Sequence, residues 1–199
     1  LKMPLHVSFR GEPGVDAGGL TREFFQLLSR EMFNPNYALF VQAPNGLYHP
    51  NPESSINDIH LDYFRFIGHI LAMGLYNNAM VDAYFTRPFY KYILGQPVTC
   101  NDFESVDPDL HKNFTWILEN DITDILDYNF TTPVDKFGER KEIPLKEGGE
   151  HIAVTNENKK EYVNLRIQFM TERIRDQLEA FLKGFYELIP RKWIAVFTP

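Results

Sequence analysis

The sequence predicts an α+β fold that is mostly helical, with a large helical unit and a small α/β unit. Three observations carry that prediction. Apolar residues recur at helical spacing in well-separated stretches, as in Leu20, Phe24, Leu27 and Leu28 and again in Leu110, Phe114, Ile117 and Leu118. Short alternating stretches and turn dipeptides interrupt them, at Pro44-Asn45-Gly46 and at Gly148-Gly149. From Asp102 onward the pattern changes from long helices to one helix with short strands, and a long helical pattern then resumes near residue 157. The large unit is expected over about residues 1–100 and 157–199 and the small one over about 101–156, together one lobe spanning 1–199.

Leu5, Val7 and Phe9 alternate with His6 and Ser8, the pattern of a short half-buried strand. Four glycines and one proline between Gly11 and Gly19 then force irregular backbone. Free amides at a helix start attract phosphate, but Glu12 and Asp16 lie inside this loop and no phosphate-loop spacing is present. It reads as a structural turn feeding the first helix. Leu39 to Gln42 and Leu47 to His49 flank Asn45-Gly46 as the arms of a tight hairpin. Asn57-Asp58 can cap a second helix running to about Tyr76, apolar on nearly every side and so expected at the centre of the core. The next helical stretch is expected to break or kink at Pro88 and to stop at Gly95. Leu126, Tyr128 and Phe130 alternate as a strand, and Phe137-Gly138 and Gly148-Gly149 punctuate two more, up to Ile152 to Val154. Asn156 is placed to cap a long helix from about 157 to 183, with Gly184 at its end and Pro190 beyond.

Composition narrows the function. With 199 residues, 44% of them hydrophobic, the chain can build a substantial core. A net charge of -7 without any Lys/Arg cluster argues against nucleic acid and anionic membranes as partners. Phe64 to Tyr76 is too short to span a bilayer and carries Arg65 and His69, so no membrane insertion is expected, and no signal-peptide pattern is present. Cys100 is the one cysteine, which excludes an internal disulfide and fits a reducing, cytoplasmic or nuclear setting. Asp102 and Glu104 beside it favour the thiol over the thiolate, so it reads as structural. Asp107, Asp109 and His111 read as helix-start residues rather than metal ligands, and no cofactor is expected. The triplets Asn113-Phe-Thr115 and Asn129-Phe-Thr131 read as chance glycosylation sequons. Leu110, Phe114 and Leu118 form a stripe that is either core or groove; a unit of about fifty residues has limited interior, and surplus aromatics there suggest a binding surface.

Several blocks, in order, resemble one known family. They include Gly11-Glu-Pro-Gly-Val-Asp-Ala-Gly-Gly-Leu-Thr-Arg-Glu-Phe-Phe25, Phe33-Asn-Pro-Asn-Tyr-Ala-Leu-Phe40, His60-Leu-Asp-Tyr-Phe-Arg-Phe-Ile-Gly68 and Phe85-Thr-Arg-Pro-Phe-Tyr-Lys91. They continue through Trp116-Ile-Leu-Glu-Asn-Asp121, Val154-Thr-Asn-Glu-Asn-Lys-Lys-Glu-Tyr-Val163 and Ala180-Phe-Leu-Lys-Gly-Phe185. Together they resemble the N-terminal lobe of a HECT-type ubiquitin-protein ligase domain. The resemblance implies transfer of ubiquitin through a thioester on a cysteine in a C-terminal lobe, expected to be absent from this chain, to lysines of a substrate bound by regions outside it. It implies a groove that docks a ubiquitin-conjugating enzyme, formed by Leu110, Phe114, Leu118, Leu126, Tyr128 and Tyr162; some members carry an aromatic where this chain has Asn120. A narrower resemblance, to members with WW domains, implies a ubiquitin-binding surface at Tyr37, Tyr63 and Phe137. The alternative reading is a non-catalytic helical adapter.

Overall fold

A computed structural model describes residues 5–11, 14–79, 81–136 and 139–197. Asp16 organises its start. The carboxylate accepts the amides of Val7 at 3.1 Å and Gly18 at 2.8 Å, together with the Thr21 amide and hydroxyl. These bonds, the Thr21 hydroxyl first among them, hold the Asp16 carboxyl well below the usual carboxylate range. A carboxylate seated on the amides that open a helix already uses the positive end of that helix, so the glycine loop is a turn and not an anion cradle. The strand expected from Leu5 to Phe9 is instead irregular, because the Val7 amide bonds to Asp16 rather than to a neighbouring strand.

Helix α1 (Gly19–Met32) buries Phe25, Ser29 and Met32, while Leu27, expected on that face, is 45% exposed. Strands β1 (Phe40–Gln42) and β2 (Tyr48–Pro50) form the expected antiparallel hairpin, turned at Gly46 with φ 84°. Helix α2 (His60–Tyr76) follows, then α3 (Arg87–Leu94). Pro88 opens α3 instead of kinking it, since a first-turn residue has no helical amide bond to lose. Gly95 ends α3 in the left-handed conformation, φ 67°.

In the small unit, α4 (Pro108–Glu119) is followed by an antiparallel hairpin of β3 (Thr131–Lys136) and β4 (Glu139–Pro144). The strands expected at Leu126 to Phe130 and at Ile152 to Val154 reduce to one bridge, Asn129 to Ala153. Local folding explains this: the Phe130 amide is taken by the carbonyls of Gly149 and Ile152, both at 3.0 Å, where residues 149–151 make a tight helical turn.

The single long helix expected from 157 to 183 is two, α5 (Lys159–Glu172) and α6 (Arg175–Tyr186), with a short α7 (Arg191–Ile194) beyond. No proline or glycine marks the break. It arises because the two halves bury faces in different cores. Tyr162, Val163 and Ile167 of α5 pack with Phe103, Phe114, Ile117 and Phe130, whereas Leu178, Phe181 and Phe185 of α6 pack with Phe25, Phe64, Ile67 and Phe89. At the break Arg173 pairs with Glu53 at 2.5 Å, and Ile174 is buried in the large core. Asn156 does not cap α5; its side chain bridges Asp121 and Thr123 and accepts the Ile122 amide at 3.1 Å, tying the end of α4 to the approach to α5.

Two contacts fix how the pieces meet. Gly68 of α2 lies against the Phe181 carbonyl of α6, and Gly184 of α6 lies against the Arg65 carbonyl of α2, each so near that a Cβ would collide with backbone. Gly184 is therefore inside α6 as a packing glycine, not at its end. Asp102, 1% exposed, receives Lys91 at 2.7 Å, Arg87 at 3.1 Å and the Thr99 amide at 2.7 Å, joining α3 to the segment that carries Phe103 into the small core. Burial works to raise its pKa, but Lys91 and Thr99 outweigh that and hold the carboxyl below the usual range.

In an open helix Gly184→Ala would add about 1 kcal/mol of helix propensity. Here the collision outweighs it, and Gly184→Ala is expected to lower unfolding stability by about 1–3 kcal/mol. Urea unfolding checks this; an unchanged or raised midpoint would contradict the close crossing.

Candidate functional site

The small unit presents a concave surface between α4, the 127–129 segment, the β3–β4 hairpin and α5. Asp107 starts α4 by accepting the Leu110 amide at 2.9 Å, with Pro108 in the first turn. This start turns Phe114 and Ile117 inward, each 1% exposed, and leaves Leu110 half-buried at the edge. The 128–130 segment is pinned from below: Val154 donates its amide to the Tyr128 carbonyl at 2.7 Å, and Asn129 Nδ2 donates to the Glu150 carbonyl at 2.9 Å. Tyr128 is thereby held at the rim, 38% exposed, while Phe130 is fully buried. From α5, Tyr162 packs edge-on against Phe130 with ring centroids 5.6 Å apart and lies 6.3 Å from the Tyr128 ring.

These residues enclose a cavity of about 290 Å³. Four of the six groove residues anticipated from sequence line it: Leu110, Phe114, Tyr128 and Tyr162. Phe114 and Tyr162 are its floor and at the same time part of the small core, whereas Leu110 and Tyr128 form its wall. Leu118 is half-buried on that core outside the cavity, and Leu126 lines a separate hollow with Val154 and Asn156. The charged lining residues, Asp127, Arg140, Glu142 and Arg166, were not singled out from sequence. Apolar periodicity does not register them, although Arg166 follows Tyr162 by one helical turn and was legible as sharing its face.

Tyr37 and Tyr63, both half-buried, lie together with ring centroids 5.7 Å apart on the large unit. Phe137, the third member of that expected surface, lies outside the described residues. Another cavity, of about 460 Å³, sits between Leu71, Leu75, Phe85, Tyr90, Phe185 and Phe197, and its lining offers no charged side chain. Among the described residues no three His, Cys, Asp or Glu side chains gather as metal ligands would, and no helix is long and apolar enough to cross a membrane. Asp107 is committed to its cap, and Asp109 pairs with Lys112 at 3.5 Å.

The model of the HECT domain, described as a ubiquitin-transferase, matches residues 26–199. The chain belongs to the HECT family. It is 51% identical over 197 residues to a TOM1-like E3 ubiquitin-protein ligase of Neurospora crassa, covering 98% of this chain and 5% of that protein. It is 49% identical over 200 residues to the E3 ubiquitin-protein ligase RSP5 of Emericella nidulans, covering 99% of this chain and 24% of that protein. It is 48% identical over 200 residues to the E3 ubiquitin-protein ligase HACE1 of Danio rerio, covering 99% of this chain and 22% of that protein. The HECT chain thus spans a quarter or less of the length of these relatives.

Cys100 of this HECT chain is half-buried, lining a cavity of about 470 Å³ with Tyr92, Gln96 and residues of α5. Burial pushes its thiol pKa up. A thiol held protonated is a poor nucleophile. Cys100 is expected to react with iodoacetamide at pH 8 more slowly than free cysteine, and to carry no reductant-sensitive ubiquitin adduct after incubation with activating and conjugating enzymes. An adduct lost in Cys100→Ser would contradict this.

Proposed function

We propose that this chain serves a HECT-type ubiquitin-protein ligase as the lobe that recruits a ubiquitin-conjugating enzyme, so that ubiquitin can pass through a thioester on a separate catalytic lobe to substrate lysines. The observation that carries the reading is the cavity of about 290 Å³ where Leu110, Phe114, Tyr128 and Tyr162 meet. A concave, partly apolar surface with rim aromatics and a few polar groups is what a protruding partner loop requires. Tyr128, 38% exposed, supplies the aromatic rim. Family membership and relatives named as ligases favour this over a helical adapter.

In the same reading, Tyr37 and Tyr63 belong with Phe137 to a second, weaker surface that holds free ubiquitin. What supports it is the pairing of two half-buried tyrosines, whose rings offer apolar area with a polar tip.

Burial separates the variants that test the groove. Tyr128→Ala is expected to reduce conjugating-enzyme affinity by about 2 kcal/mol with little change in melting temperature, as for an exposed aromatic anchor. Phe114→Ala empties a fully buried site and is expected to cost about 3–5 kcal/mol of stability, so its binding defect follows from the fold. Calorimetric titration beside thermal melting distinguishes them, and unchanged affinity in Tyr128→Ala would end the groove reading. Titration of isotope-labelled ubiquitin is expected to give weak shifts that Tyr37→Ala removes and Tyr128→Ala does not; shifts insensitive to Tyr37→Ala would place ubiquitin elsewhere.

A further inference from the structure

The groove contains a cation, Arg166, that makes no ion pair among the described residues although two carboxylates, Asp127 and Glu142, line the same cavity. Arg166 lies one turn beyond Tyr162 on α5 and lines the same cavity. Its Nη1 donates to the Tyr162 hydroxyl at 2.9 Å. Its guanidinium carbon is 5.5 Å from the centroid of the Phe114 ring and 5.8 Å from that of Tyr162, within the range of cation–π attraction. Its Nε is buried and has no hydrogen-bond partner. Among the described residues no carboxylate pairs with it: Asp127 and Glu142 line the same cavity, but neither forms an ion pair with Arg166, and Glu142 accepts from the Thr131 hydroxyl at 2.9 Å.

A guanidinium carries five N–H donors in a rigid plane and keeps its charge at any physiological pH. The aromatic faces of Phe114 and Tyr162 remove water from it, and a neutral tyrosine hydroxyl does little to balance the charge. A partly desolvated cation with an unused donor is favourable only if an acceptor arrives to meet it, and a carboxylate meets it best because charge and planar fork are both matched. A hydrophobic anchor entering beside Leu110 and Tyr128 would bring its neighbouring residues to this point.

We propose that Arg166 is the specificity-determining residue of the groove, selecting partners whose docking loop places an aspartate or glutamate beside its apolar anchor. The inference rests on the groove being the conjugating-enzyme site and names which of those enzymes it takes. Tyr128 supplies affinity common to all of them; Arg166 discriminates among them.

The test is a calorimetric titration of the chain with a panel of purified ubiquitin-conjugating enzymes, some with and some without a carboxylate in the docking loop. Wild type, Arg166→Gln, Arg166→Glu and Tyr128→Ala are compared, with thermal melting of each variant to establish that it is folded. Arg166→Gln is expected to weaken the carboxylate-bearing enzymes by about tenfold or more and to affect the others little. Arg166→Glu is expected to recover binding to an enzyme whose loop carboxylate has been changed to lysine. A loss equal across the panel, the mark of a neutral carbonyl acceptor, or no loss at all, overturns the assignment of Arg166 while Tyr128→Ala still weakens binding. If Tyr128→Ala leaves every enzyme bound as before, it is the groove itself that fails.

Discussion

Two glycines set the distance between α2 and α6, and the large unit is arranged around that distance. With Gly68 against the Phe181 carbonyl and Gly184 against the Arg65 carbonyl, the two helices approach backbone to backbone. Neither contact tolerates a Cβ, so the approach cannot be relaxed by a rotamer change. The aromatic cluster then fills what remains. Phe181 meets Phe89 with centroids 4.8 Å apart, Phe89 stacks on Phe85 at 4.4 Å, and Phe85 meets Phe33 at 5.6 Å, which carries the packing from α6 to the end of α1. At such separations each pair adds a geometric preference to its buried area.

The position of α6 fixes the position of α5, and through it the candidate site. The chain turns at residues 173–174, where the Arg173–Glu53 pair and buried Ile174 hold the junction, and α5 leaves for the small core. Asp102 makes the second link, drawing Lys91 and Arg87 of α3 onto the segment before α4. A buried carboxylate with two cations and a backbone amide is costly to break from either side, because removing one partner strands the charges that remain. The two walls of the groove, α4 and α5, are thus each tethered to the large unit at one point. The floor, Phe114 and Tyr162, belongs to the packed small core, and the rim residues project from a supported frame.

Much of this was legible in the residues, and the parts that were not have a common cause. The first hairpin and the α3 terminus were marked by Gly46 and Gly95, whose positive φ is a local requirement visible in any sequence. Pro88 was misread as a kink because proline favours both an interior break and a first turn, and only the register of the helix decides between them. The break between α5 and α6 left no local mark, since it follows from the two halves burying in different cores. Gly184 looked like a terminator and is a packing contact, a role that depends on what lies opposite. In the candidate site, Leu110 and Phe114 stood out by helical spacing and Tyr128 by strand alternation, but the family resemblance named them, with Tyr162, as groove residues; Arg166 was passed over because a charged residue on an amphipathic helix ordinarily points to water. Leu118 and Leu126 belong to the same apolar patterns as the lining residues, but Leu118 packs on the small core outside the cavity and Leu126 lines a separate hollow.

The proposed partner-binding surface lies on the small unit, between α4 and α5, with the α2–α6 pair as its rigid support. Amide hydrogen exchange of the chain, alone and with a ubiquitin-conjugating enzyme, tests this placement most directly. Added protection is expected at the exposed edge of the groove, over residues 127–131 and the first turn of α4, with α2 and α6 slow to exchange and unchanged in both states. Protection appearing around the cavity between Leu71, Leu75 and Phe197, with the 127–131 segment unaffected, would contradict it.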